Sequence, residues 1–237
     1  MTLSAQGPPS VINGARFELR YPVSPGSYAQ AYGTFEGVPT ATAGTAPLPT
    51  TLGGIQVLVG DTAAPLYAVA SSVVSFVVPA KTASGRVAVR VVRGETTLAT
   101  GTADVVANSP GIFFVLTDPL AQGGILNQDS LYAVQSAPAR RGQAIQIFAT
   151  GQGPLDMDVA DGRVPAAGTL ARATGVTKVY VSVDEAQVQF SGLSPQFPGL
   201  WQINAVVPDK AYISGQVPLV VTIDGIPSNQ VSFWVAE

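Results

Sequence analysis

Asp156, Asp158 and Asp161 fall within one Gly-terminated stretch, Asp156-Met-Asp-Val-Ala-Asp-Gly162. Carboxylates at this density, helped by backbone carbonyls, suit a hard cation, so the loop is a candidate structural Ca²⁺ site. The spacing is not that of an EF-hand, and no distal bidentate Glu follows. Without a metal the same residues form a solvated turn. Beyond this Ca²⁺ no cofactor is expected. Aromatic residues supply a second chemistry, a stacking platform for a glycan. Tyr28 and Tyr32 lie early in the chain, and Tyr132, Phe197, Trp201 and Tyr212 lie late. Phe197, Trp201 and Tyr212 are the candidate ligand-binding residues, because the loop Phe197-Pro-Gly-Leu200 leads directly into Trp201. A Trp entering a strand also suits a core position, its N–H bonded to a neighbouring acceptor. Trp234 is out of phase with Val231, Phe233 and Val235 and faces away from them.

Catalysis has few residues to use. The chain contains no His and no Cys, which removes Ser/His/Asp and Cys/His arrangements, thiol ligands, disulfides and the commonest general base. Asp184 and Glu185 are adjacent in a predicted strand and point to opposite faces, so they cannot converge on one bond. Gly53-Gly54 and Gly151-Gln-Gly153 are followed by no Lys-Ser/Thr pair and open no helix, so they read as turns rather than phosphate loops. Lys81, Lys178 and Lys210 occupy turn or polar-face positions, unlike a lysine buried for an isopeptide crosslink. No catalytic residue is expected, and the chain reads as a non-enzyme.

Such sites need elements to position them, and composition points to strands. Of 237 residues, 46% are hydrophobic and only 11% charged, with 25 Gly and 19 Pro. This describes a turn-rich β protein with a neutral coat of Ser, Thr and Gln. The 12 basic residues are scattered, and a net charge of −3 offers no patch for a nucleic-acid backbone. No apolar run reaches the roughly 20 residues of a membrane span. The stretch Met1-Thr-Leu-Ser-Ala-Gln6 lacks the charged and apolar regions of a signal peptide.

The chain repeats itself. Ser75-Phe-Val-Val-Pro79 leads to Gly85, to the strand-like Arg86–Val92 and to Arg93-Gly94. Gln202-Ile-Asn-Ala-Val-Val-Pro208 leads in the same way to Gly215, to Gln216–Ile223 and to Asp224-Gly225. Tyr28–Phe35 matches Gln143–Ala149, and the polar loop Val38–Leu52 matches the longer Leu155–Thr174. Period-two patterns recur at Ile55/Val57/Val59, Val179/Val181/Val183, Ala186/Val188/Phe190, Val217/Leu219/Val221/Ile223 and Val231/Phe233/Val235. Alternation with one polar face predicts antiparallel sheets buried on one side. Asp224-Gly225 predicts a tight hairpin with positive φ, and no segment has helical periodicity. The expected fold is all-β: two tandem Ig-like antiparallel β-sandwiches, residues 1–108 with an N-terminal lead-in, and residues 109–237. The junction, Val106–Phe114, carries large apolar side chains and predicts packed rather than freely jointed domains. Gln202 and Asn204 are expected to bond local backbone.

Six short motifs, in order, carry a family resemblance: Leu48–Gly54, Ser109–Phe113, Gly124–Asp129, Ala149–Pro154, Gln202–Pro208 and Ser228–Val231. Together they resemble the Solibacter-type C-terminal repeat domain of acidobacterial exported proteins, over about Val11 to Val235. The first copy departs from that pattern at Ser72–Pro79, where Ser-Pro-x-Gln-Ile-Asn would stand. The resemblance implies an extracellular or cell-surface module behind other domains, with no established activity. Its expected role is that of a stalk, surface-attachment or protein-interaction domain. Its partners would be other domains of the same exported protein, or a cell-surface protein or glycan. Nucleic-acid binding and membrane insertion are not expected. Two alternatives stand beside this: a carbohydrate-binding module, and an adhesin or filament subunit that donates Val11–Phe17 by strand exchange.

Overall fold

Alternation of buried and outward residues, punctuated by glycine turns, builds every regular element. The structure, a computed structural model, describes residues 8–16, 18, 21–116 and 121–236. All regular elements among them are β-strands. Along Ile55–Val59, and along Gly215–Ile223 from Val217 onward, buried residues alternate with half-exposed ones, as period two requires.

The N-terminal half has two sheets. The strands Ser10–Asn13, Tyr28–Tyr32, Val73–Val77, Leu66–Val69 and Ala41–Thr42 pair in that order, and Thr62–Ala63, Ile55–Val59, Gly85–Arg93 and Thr96–Val105 form the second sheet. Ala29, Ala31, Leu66 and Phe76 from one sheet meet Ile55, Val57, Val89 and Val91 from the other in a single buried cluster.

In the C-terminal half, Gly111–Ile112, Ala144–Thr150, Trp201–Val206 and Asp184–Leu193 pair in sequence, as do Asp184–Leu193, Thr177–Val181, Gly215–Ile223 and Val231–Val235. Asp184–Leu193 thus belongs to both runs: Asp184 to Ala186 pair with Thr177–Val181, Gln187 onward pair with Trp201–Val206, and a bulge follows between Val188 and Phe190. Bulges let a strand turn the corner between packed sheets. A second buried cluster, centred on Ile147, Trp201, Ile203, Leu219, Val221 and Phe233, fills this half.

The repeat is visible in hydrogen bonds. Gly26 N–H donates to Val78 O, and Val78 N–H to Ser27 O; Gly142 N–H donates to Val207 O, and Val207 N–H to Gln143 O. The Val-Val-Pro signature therefore ends a core strand identically in both copies. Asp224 and Gly225 adopt φ of 49° and 80°, the predicted left-handed pair.

Three expectations need correction. Val183 does not share the inward face of Val179 and Val181; it is 82% exposed, because the chain has already turned at Ser182, φ 57°. Gln202 and Asn204 bond each other, Nε2 to Oδ1 at 3.0 Å, rather than local backbone. The strand-exchange donor is already in use: Ser10–Asn13 pair with Tyr28–Tyr32 in their own sheet, while Phe17 lies outside the described residues.

Candidate functional site

The two halves meet along a junction where main-chain and short polar groups interlock. Asn13, fully buried, donates from Nδ2 to Ser109 O at 2.6 Å and accepts from Ala15 N–H at 2.9 Å. Thr150 Oγ1 accepts from Tyr28 N–H and donates to Gly199 O, both at 2.8 Å. Ser109 Oγ donates to Pro22 O. Leu48 N–H donates to Gly162 O at 2.8 Å, and Tyr67 Oη to Pro198 O at 2.7 Å.

Two of the three candidate Ca²⁺ ligands accept structural hydrogen bonds. Asp161 Oδ1 accepts from Ala80 N–H across the junction, and Asp156 Oδ1 from Arg172 N–H, each at 2.8 Å. Asp158 and Asp161, but not Asp156, line a neighbouring cavity of about 370 Å³. Among the described residues, no group of three or more carboxylate or other ligand side chains is placed to hold a metal ion. Carboxylates two to five residues apart in an extended loop diverge unless the backbone wraps, and here Asp161 and Asp156 reach two different segments, the turn at Ala80 and the bridge residue Arg172.

The aromatic candidates separate. Trp201 is fully buried, with Nε1 donating to Ser191 Oγ at 2.9 Å, so it has no ring face to offer a ligand. Its phase in Trp201–Val206 places it inward with Ile203 and Ala205. Tyr212 is exposed, and its phenol donates to the Asp184 carboxylate, which holds the phenol above its ordinary pKa. Glu185 instead pairs with Lys178 at 2.9 Å, so the adjacent acids act separately, as their opposite phases require. Trp234 is half-buried.

Phe197 is where the sequence reading meets the structure. It is 50% exposed and stands over a groove of about 600 Å³ at the junction, together with Tyr28, Tyr67, Phe113, Tyr132 and Phe148. Tyr28 packs edge-on to Tyr67 at 5.6 Å and tilted to Phe113 at 5.7 Å, distances that suit the ring quadrupoles. Tyr67, Phe113 and Phe148 were missed as site residues, although one signal was available. Phe148 falls out of phase with the buried Ile145, Ile147 and Ala149, an aromatic where an outward polar residue belongs.

Tyr67 is also a pH-sensitive tie. Burial, and secondarily Tyr28, push its phenol above the ordinary 10.0. A folded-state pKa above the unfolded one means the neutral phenol's contribution is intact below the unfolded value and is lost as pH rises through and beyond it. Tyr67→Phe is expected to cost about 1–2 kcal/mol at neutral pH through the unpartnered Pro198 carbonyl. It should also flatten the fall in stability at alkaline pH. Thermal melts of both proteins between about pH 8 and 12 test this, and parallel curves would refute it.

No family model matches the chain, and no curated protein does. Among solved structures it is similar to SGBP-B of the Bacteroides ovatus mixed-linkage glucan utilization locus, solved with a mixed-linkage heptasaccharide, at 14% identity over 92% of this chain and 44% of that one, TM-score 0.34. It is similar to bovine butyrophilin at 10% identity, over 98% and 100% of the two chains, TM-score 0.24. It is similar to domains 4–9 of surface layer protein SbsC at 11% identity, over 98% and 31%, TM-score 0.29. The chain spans under half the length of the first and third of these. Likeness at this level says nothing of ligand or role.

Proposed function

We propose that the chain is a non-catalytic, extracellular module of two tandem Ig-like sandwiches, residues 1–108 and 109–237, serving as a stiff stalk or attachment segment of a larger exported protein. The interlocked junction carries this reading. Thr150, Asn13, Ser109, Tyr67 and Asp161 each spend a polar group across it, and two of them are fully buried on Thr150 and Asn13. Joints of this kind suit a spacer that holds neighbouring parts at a fixed angle, whereas loosely joined domains swing. The absence of His and Cys, and the dispersal of the carboxylates into structural contacts, support the non-catalytic part. The resemblance to Solibacter-type repeat domains supports the exported address, with other segments of the same protein or a cell-surface protein as partners.

Calorimetry tests the stiff junction. The chain should unfold in one transition whose calorimetric and van't Hoff enthalpies agree. Thr150→Val keeps shape but leaves Tyr28 N–H and Gly199 O without their shared partner, at a cost of about 2–4 kcal/mol. Two separate transitions in the unmodified chain would sink the proposal. So would hydrolytic activity that disappears in Asp158→Asn.

A further inference from the structure

We propose that the junction groove binds a neutral oligosaccharide of flat, equatorially substituted pyranose rings, the aromatic residues stacking on its C–H faces. Three observations carry this beyond the spacer role. First, six aromatic rings from both halves line one open groove, and Tyr132 and Phe197 at its rim are 59% and 50% exposed. Apolar faces kept in water at this density favour an occupant that covers them. The volume, about 600 Å³, falls within the range of ligand clefts.

Second, among the described residues no Asp, Glu, Lys or Arg lines the groove. A charged occupant would lose hydration there without gaining a counter-charge, so the ligand is neutral. Third, the polar groups left over both donate and accept. The side-chain amide of exposed Gln196 and the phenol of Tyr132 make no hydrogen bond among the described residues. The Tyr28 phenol accepts from Gln30 Nε2 at 3.3 Å, leaving its own proton to give. Sugar hydroxyls need partners of both senses. A proline-rich peptide, the other habitual occupant of aromatic grooves, offers acceptors only at its prolines. An equatorially substituted pyranose also exposes C–H on both faces, so rings contributed by either half can stack on it.

The site rests on the docked-halves reading, because its rings come from both sides of the junction. Titration calorimetry of the whole chain with cellohexaose, with penta-galacturonate and decaproline as controls, tests it. Cellohexaose should bind with Kd of about 10 µM to 1 mM and the controls should not. Phe197→Ala and Tyr132→Ala should each weaken binding about fivefold or more while leaving the melting temperature unchanged, since both side chains are exposed. Failure to bind cellohexaose, xylohexaose and mannohexaose alike would overturn the proposal, as would preference for decaproline or affinity unmoved in the double variant. A chain that melts in one transition and binds no sugar sinks the groove assignment alone. One that melts in two transitions sinks the docked junction as well.

Discussion

Gly151→Ala should cost about 3 kcal/mol or more and uncouple the halves. Gly151 sits at φ +89°, and a Cβ there would lie 1.8 Å from Ser109 O and 2.4 Å from Ser109 C, so backbone rather than a yielding side chain blocks it. Ser109 has little room to withdraw. Its N–H donates to Gly151 O at 2.9 Å, its carbonyl holds Asn13 Nδ2 and its hydroxyl holds Pro22 O. Gly142→Ala is the internal control, because Gly142 has a similar φ of +74° with nothing within 4 Å of a Cβ. It carries only the left-handed penalty, roughly 1–2 kcal/mol. Denaturant unfolding of both variants separates the effects. Equal losses would show that close approach of Ser109 to Gly151 is unimportant.

Trp201→Ala should cost about 3–5 kcal/mol, the usual range for deleting a buried aromatic ring. Trp201 lies on a strand paired on both sides, against Ala149 and Leu193, and is fully buried in the C-terminal cluster. Its removal opens a cavity and strips a donor from Ser191 Oγ, which also shares a 2.8 Å hydrogen bond with Thr177 Oγ1. Trp201→Phe, which keeps a ring and loses only the N–H and some volume, should cost visibly less. Equilibrium unfolding monitored by far-ultraviolet circular dichroism gives both numbers. A loss under about 1 kcal/mol for the Ala variant would mean the residue is not the core anchor its burial implies.

Strand identity was legible because alternation is a local property. Ile55, Val57 and Val59, or Val217 through Ile223, declare their inward face without reference to distant residues. The duplication was legible for the same reason, since Val77-Val78-Pro79 and Val206-Val207-Pro208 end their strands through matching bonds. Val183 misled because alternation does not show where a hairpin turns, and Ser182 turns without glycine. The groove was half legible. Phe197 and Tyr132 were already candidates as aromatics for a glycan platform, while Tyr67 and Phe113 gained meaning only once two distant segments met beside Tyr28. The six family-like motifs carried a message that spacing alone could not decode. Ser109, Gly151 and Gly153 form the close backbone approach. Asn229 clamps Ile112, accepting from its N–H at 2.8 Å and donating to its carbonyl at 3.0 Å. Much of what looked like a signature holds the stretch Val106–Phe114 in place.

Thr96–Val105, the longest strand of the N-terminal half, is the outer member of its sheet. A long outer strand is a template on which other chains can stack, and a surface this poor in charge gives little repulsion to stop them. The lead-in packs on this strand's buried face, in phase with Ala99 and Ala103. Pro9 lies so close to mid-strand Gly101 that a Cβ there would fall 2.6 Å from Pro9 O and 3.0 Å from its ring. The edge itself is met at its far end, where Val23 N–H donates to Asp104 O and Val106 N–H to Val23 O, both at 2.9 Å, and the neighbouring Pro22, with no N–H, carries that ladder no further.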